Sequence, residues 1–502
     1  MREGVACLAY FWLSLVCLEE RLWSIVWRRP RAALREITGS AEWVAYHVVG
    51  VATLGVFVPE GGARLRRACL RHPGCRFRGG IDLSDRQWRD YRAAAPLLVG
   101  GCLVAAALGR IADRRVSARR CAAVLILVVA HGANGLYLVA LVAAFRACAG
   151  RPRAIWALAV AALVAKEPVV RDRVPPLGSG GIYPWYASLP LLVLRLVSSS
   201  LDAGPETRAV DVVAHAFYAS APLYVTGPTI MWGDFRNATH ADCRPRVLSY
   251  ALRTILAAIF LELGTRRYPC FAVAATPGLL ARLDPLAAAA FVLISINLLW
   301  LKFTVMWRVA TCLARADGIS PPENMRRFVC DNFTISGFWR GWHASFNEWL
   351  VRYLYLPLGG AARPAATVAA FAFVVLWHDL SEPRLLAWGT LNALFLLSER
   401  ALGLASAARR AASTDAPFDR ARVASLGAVY VTALLVANVV GYSVGLAGLA
   451  AVARALRPIR LHHALPPLAA AFAVFFAATQ LAIKVRRLEL LDRRPSSDDS
   501  SS

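Results

Sequence analysis

The chain has 502 residues, 58% of them apolar and 18% charged, with a mean hydropathy of +0.48. Its 57 basic less 32 acidic side chains leave a formal charge of +25, and all the basic residues except Lys166, Lys302 and Lys484 are arginine. Those proportions exclude a disordered chain, a disulfide scaffold and a string of soluble domains, and arginine set between apolar runs points to lipid headgroups rather than nucleic acid.

A run of about 20 apolar residues spans hydrocarbon, and such runs dominate this chain. The first, Val5 to Leu18, is short, precedes Glu19, Glu20 and Arg21, and has no small-residue cleavage site after it. Residues 1–40 are therefore expected to form an interfacial or re-entrant segment rather than a signal peptide. Further runs lie near 41–58, 94–111, 121–145, 154–165, 184–200, 209–226, 247–263, 268–283, 286–310, 365–378, 384–402, 423–453 and 463–483. Gly441, Gly445 and Gly448 interrupt the last but one, which is expected to divide there. The pattern predicts an all-α polytopic membrane protein of about eleven transmembrane helices plus re-entrant or interfacial pieces. One multi-pass domain over 41–483 would precede a polar, disordered tail over 484–502.

Arginines flank the 94–111 run on both sides, so the positive-inside count does not orient the chain. Asn237-Ala-Thr and Asn332-Phe-Thr are sequons beside apolar runs, and neither is expected to carry a glycan. Most of the 11 cysteines lie in or next to apolar runs and read as small buried hydrophobes. No zinc-type Cys/His spacing occurs, and no metal site is expected. Cys69 and Cys75 share a polar loop and would pair only if it faced an oxidising lumen; the expectation is unpaired thiols.

Two connections are long enough to carry function. The first, 60–93, contains IDLSDRQWRDY; the second, 311–350, ends in FWRGWHASFNEW at 338–349. Read as one helix, that second stretch puts His343 and Asn347 on one face and Trp339 and Trp342 on a neighbouring stripe. Tryptophan favours the interface between hydrocarbon and water, so the segment is expected to lie along the membrane or dip into it. PLGG at 357–360 then forces a turn. Next, FAFVVLWHDL closes an apolar run with Trp377, His378 and Asp379. An ionisable group at that depth is costly and so a functional candidate, although a lone histidine at a helix end is more often a C-cap. Upstream, APLYVTGPTIMWGDF at 221–235 must break its helix at Gly227-Pro228, shortly before Asp234. Non-helical backbone at membrane depth needs a cover of protein or water, which implies a cavity; an ordinary surface loop is the equal alternative. Lys302 and Arg308, inside NLLWLKFTVMWRVA, are expected to snorkel to headgroups rather than draw phosphates into a cavity.

The order of FWRGWHASFNEW and then FVVLWHDL resembles the signature of the membrane-bound O-acyltransferases. DLSDRQWRDYR at 82–92, HAFYASAPLYVTGPTIMWGDF at 215–235 and ADGISPPENMRRFVCDNFTISGFWRGWH at 316–343 are similar to the glycerol-uptake-protein branch, related to the hedgehog acyltransferases. The resemblance implies transfer of a fatty acyl group from acyl-CoA, a co-substrate, to a hydroxyl of a lipid or lipid-linked acceptor. It implies a tunnel through the endoplasmic reticulum membrane, no cofactor, and a lyso-form glycosylphosphatidylinositol anchor or a lysophospholipid as the favoured acceptor. Position by position, His378 matches the catalytic histidine, and His343 and Asn347 both fall at the polar position of the first motif. Asp379 matches the acidic neighbour of the histidine. Trp339, Arg340, Trp342, Trp377 and Asp234 complete the expected substrate-binding set.

The chemistry is sound on its own terms. A thioester is already activated, so an attacking hydroxyl needs mainly a base and donors for the developing oxyanion. An imidazole, with a reference pKa of about 6.5, suits the first task. No activated serine or cysteine lies near either motif, so direct transfer is expected. Two other classes fit a polytopic chain. A transporter of a small polyol such as glycerol would be expected to repeat its broken helix in each half, yet GP-broken and Trp/His segments each occur once. A non-catalytic regulator of the same fold would have no need of His378, His343 and Asn347, which this chain retains.

Overall fold

A computed structural model describes residues 45–46, 48–49, 57–111, 123–125, 127–178, 181, 183–204, 207–217, 227–237, 244–316, 319–456 and 461–492. Apart from a two-residue hairpin, Phe77–Arg78 (β1) antiparallel to Ile81–Asp82 (β2), the described elements are helical. A helix satisfies its own backbone, which lipid cannot. In chain order the main helices are α1 (Val58–Arg71), α2 (Arg86–Ile111), α3 (Gly135–Ala147), α4 (Pro152–Ala165), α5 (Leu189–Asp202), α6 (Ala209–Ala216), α7 (Arg244–Arg267) and α8 (Pro285–Ala316). There follow α9 (Ile335–Gly341), α10 (Ala344–Leu350), α11 (Pro364–His378), α12 (Pro383–Ala401), α13 (Leu404–Thr414), α14 (Pro417–Val439), α15 (Gly445–Leu456) and α16 (Leu461–Asp492).

Among the described residues, four stretches are long and apolar enough to cross a membrane: Val247–Arg267, Pro285–Ala316, Pro417–Ala451 and Ala469–Leu490. Helices α3, α4 and α11 are apolar but shorter. The run at 268–283 is no span: Pro269 and Pro277-Gly278 limit it to the short helix Cys270–Ala275 and a turn. The N-terminal segment expected over 1–40 lies outside the described residues. The tail is corrected in part, because α16 continues to Asp492. Val485 and Leu488 are buried there, and Glu489 receives both terminal nitrogens of Arg327 at 2.7 Å while Arg486 reaches Asp331 at 2.6 Å.

The apolar interior forms two large clusters. One surrounds α8, with Phe291, Trp300 and Val305; the other joins α5 to α10 and α11 through Leu194, Trp349 and Phe373. Trp339, Phe395 and Tyr442 pack against both. Close helix approach supports the seam: at Gly389 of α12, an added Cβ would overlap Val375 of α11. Gly389→Ala is therefore expected to cost about 1–3 kcal/mol, seen as a lower unfolding midpoint in detergent. An unchanged midpoint would mean that the two helices separate freely.

Lys302 and Arg308 do not snorkel. Lys302, 4% exposed, places Nζ 3.0 Å from Asp85 Oδ2, and the fully buried Arg308 places Nε 3.3 Å from Glu323 Oε1. Both counter-charges arrive on the two long connections, which fold into the helix assembly. A paired cation has no need to reach the headgroups. Cys69 and Cys75, expected as thiols, instead form a disulfide, with Cα atoms 5.4 Å apart. The His72-Pro73-Gly74 turn brings them together, its closure marked by the Cys75 amide donating to His72 O at 3.0 Å. Of the sequons, Asn332 is buried and donates from Nδ2 to Phe328 O at 2.9 Å, whereas Asn237 is exposed.

Candidate active site

Residues 227–231 run without helical structure, and side chains satisfy their backbone. The Thr229 amide donates to Ser345 Oγ at 2.9 Å, the Trp232 amide to Ser198 Oγ at 2.8 Å, and Ile230 O accepts from His215 Nε2 at 2.9 Å. Such replacement bonds are what allow irregular backbone inside the bundle. Ser345 is fixed in turn by Asn324, whose Oδ1 accepts its hydroxyl at 2.7 Å and its amide at 3.0 Å.

FWRGWHASFNEW is not one helix, contrary to the sequence expectation. Helix α9 begins at Thr334, whose hydroxyl accepts the Gly337 amide at 3.0 Å, an N-cap. Glu399 from α12 also sits at this N-terminus, accepting from the Ile335 and Ser336 amides. The helix ends at Gly341, because Trp342 turns extended and bridges to Met325. His343 then adopts a left-handed conformation, φ +47° and ψ +48°, and its carbonyl opens α10 by accepting the Phe346 and Asn347 amides at 2.9 and 3.0 Å. A non-glycine residue there costs about 1–2 kcal/mol, so the surroundings must hold it. The imidazole stacks on Trp307, ring centres 4.6 Å apart and 22° between planes. Its Nε2 is buried without a hydrogen bond among the described residues.

His378 is the last residue of α11. Trp377 Nε1 donates to Pro190 O at 2.7 Å, tying this end to α5. A buried pair just past α4, Lys166 and Glu167, 2.6 Å apart, fastens the exit. Lys166 Nζ donates to His378 O at 3.2 Å, and the Glu167 carboxylate accepts the Leu380 and Ser381 amides at 3.1 and 3.0 Å. The imidazole meets Trp377, Trp388 and Tyr442 edge to face, at 4.7, 5.8 and 5.7 Å, with Nε2 3.1 Å from Tyr442 Oη.

These elements enclose a cavity of about 900 Å³. His378, His343 and Asn347 all line it, together with Trp339, Arg340, Trp342 and Trp377. Leu191, Leu350, Val351, Phe371 and Val374 add apolar wall. Arg340, Arg400 and Arg409 line it from exposed positions and mark its mouth. Two expected substrate contacts are absent from the wall. Asp379 leaves the helix in extended conformation and accepts the Ser381 hydroxyl at 2.7 Å, which closes the loop. Asp234 is exposed on the short helix Trp232–Asn237.

Sequence reasoning missed Trp307, Tyr442, Arg409 and the Lys166–Glu167 pair. Tyr442 had a signal in the glycines that break its helix, and Lys166 in being one of three lysines. Trp307 and Arg409 had none.

A family model described as MBOAT, membrane-bound O-acyltransferase family, matches residues 155–440. The membrane-bound O-acyltransferase gup1 of Schizosaccharomyces pombe is 27% identical over 483 residues, 82% of this chain and 82% of its own. GUP1 of Saccharomyces cerevisiae is 28% identical over 454 residues, covering 77% and 79%. The protein-cysteine N-palmitoyltransferase HHAT of Mus musculus is 27% identical over 198 residues, 36% of this chain and 38% of its own.

Proposed function

The chain belongs to the membrane-bound O-acyltransferase family, and from that premise we propose that it moves a fatty acyl group from acyl-CoA to a hydroxyl of a lipid or lipid-linked acceptor, with His378 as general base. The observation that carries this reading is the meeting of His378, His343 and Asn347, drawn from two separate segments, on the wall of one largely apolar cavity with an arginine mouth. The imidazole takes the proton of the acceptor hydroxyl as its oxygen attacks the thioester carbonyl. The carbon–sulfur bond then breaks, and the proton passes to the departing CoA sulfur. His343 Nε2, buried and without a partner among the described residues, and the Asn347 amide are the donors available to the oxyanion. Apolar walls keep water from the thioester.

The mouth suits the other end of the donor. Guanidinium groups bind phosphate oxygens through charge-assisted hydrogen bonds, and Arg340, Arg400 and Arg409 offer three of them beside the opening. The one carboxylate at this wall, Glu399, is engaged by the N-terminus of α9. A lyso-form glycosylphosphatidylinositol anchor or a lysophospholipid, in the endoplasmic reticulum membrane, is the favoured acceptor, because the apolar lining suits an acceptor that arrives from lipid.

The test is purified protein with labelled acyl-CoA and a panel of lyso-lipids, serinol-type alcohols and an N-terminal cysteine peptide. Transfer to a lyso-lipid hydroxyl supports the reading, and transfer to the peptide alone overturns the acceptor class. Arg409→Gln is expected to raise the half-saturating acyl-CoA concentration about tenfold, as loss of a charged hydrogen bond does, with kcat within about twofold. An unchanged half-saturation would remove Arg409 from donor binding.

A further inference from the structure

Tyr442 places Oη 3.1 Å from Nε2 of His378, and both residues line the cavity. The backbone is arranged around this contact. Helix α14 does not run straight into α15: residues 440–444 form a single π turn, and Gly445 follows at φ +66°. A π turn adds one residue to the helical course, re-aims the side chains on it, and is frequently found at functional sites. Beside Tyr442, Gly441 lies so close to Trp388 that a Cβ would be 2.7 Å from the indole. That indole stands edge-on to Tyr442 at 5.2 Å and to His378 at 5.8 Å. Its Nε1 donates to Asn438 on α14 at 3.3 Å. The π turn, the glycine and the tryptophan thus fix one hydroxyl against one ring nitrogen.

We infer that Tyr442 is a positioning residue for the base: its oxygen accepts the Nε2 proton of His378, which leaves Nδ1 to take the proton of the acceptor hydroxyl. A partner on one ring nitrogen is what sets the tautomer and leaves the other nitrogen free for chemistry. When Nδ1 gains its proton, Nε2 keeps its own, so the Tyr442 bond persists and steadies the imidazolium until Nδ1 gives the proton to sulfur. The inference rests on the reading of His378 as base.

Tyr442→Phe tests it, since the ring and its contacts remain and one oxygen is lost. Turnover is expected to fall about 10- to 100-fold, with KM for acyl-CoA and acceptor within about twofold and the unfolding midpoint unchanged. Wild-type kcat in Tyr442→Phe would overturn the inference, and so would a fall in kcat that tracks a lowered unfolding midpoint or a raised KM. Assayed beside it, His378→Ala separates the two readings. An inactive His378→Ala with a fully active Tyr442→Phe sinks the role of Tyr442 alone, whereas full activity in His378→Ala removes the base and this inference with it.

Discussion

Replacing His378 with alanine is expected to lower acyl transfer by about 10²- to 10⁴-fold, the range of general-base catalysis, while the purified protein keeps its fold. The fold survives because the exit of α11 is held by backbone and by Trp377 rather than by the imidazole. Lys166 binds the carbonyl of residue 378, Glu167 binds the following amides, and the indole binds Pro190 O. Only the ring is lost, and with it the group that faces both the cavity and Tyr442. The measurement is turnover of labelled acyl-CoA beside an unfolding curve in detergent. Turnover equal to the parent would end the base assignment, and lost activity together with a collapsed unfolding curve would assign His378 to structure instead.

The second large effect concerns stability. Lys302→Ala strands the Asp85 carboxylate, 9% exposed, against α8 without its cation, and breaking one side of a buried pair costs about 3–5 kcal/mol. Replacing both partners, Asp85→Leu with Lys302→Met, is expected to recover most of that loss. About 1 kcal/mol stays lost, because Asp85 also accepts the Trp88 amide at the start of α2. Unfolding of the two variants in detergent gives the comparison. A single variant as stable as the parent, or a double variant no better than the single, would contradict the pairing.

What the sequence made legible is local. Apolar runs identified a helical membrane chain, Gly227-Pro228 marked the non-helical stretch 227–231, and the motifs FWRGWHASFNEW and FVVLWHDL singled out His343, Asn347 and His378, which line one cavity. What it concealed are arrangements in which one partner lies far away or backbone departs from its usual course. Asp85 and Lys302 are 217 residues apart and Tyr442 and His378 64 apart, so neither partner signals the other. The left-handed His343 has no compositional mark, because glycine is the residue that announces such a conformation. For that reason one helix was expected where α9 and α10 are two. The Cys69–Cys75 bond depended on a turn whose closure a spacing alone does not reveal, and the end of α16 was hidden because its ion pairs read as a polar tail.

The most direct measurement is photocrosslinking with an acyl-CoA that carries a diazirine on its fatty chain, followed by peptide mapping. Adducts on Leu350, Val351, Phe371 or Val374 of the cavity wall, suppressed by excess unlabelled acyl-CoA, are the expected result. Adducts confined to outward-facing residues such as Leu248, Leu252 and Ile255 of α7, which are 54–70% exposed, would contradict transfer inside the cavity.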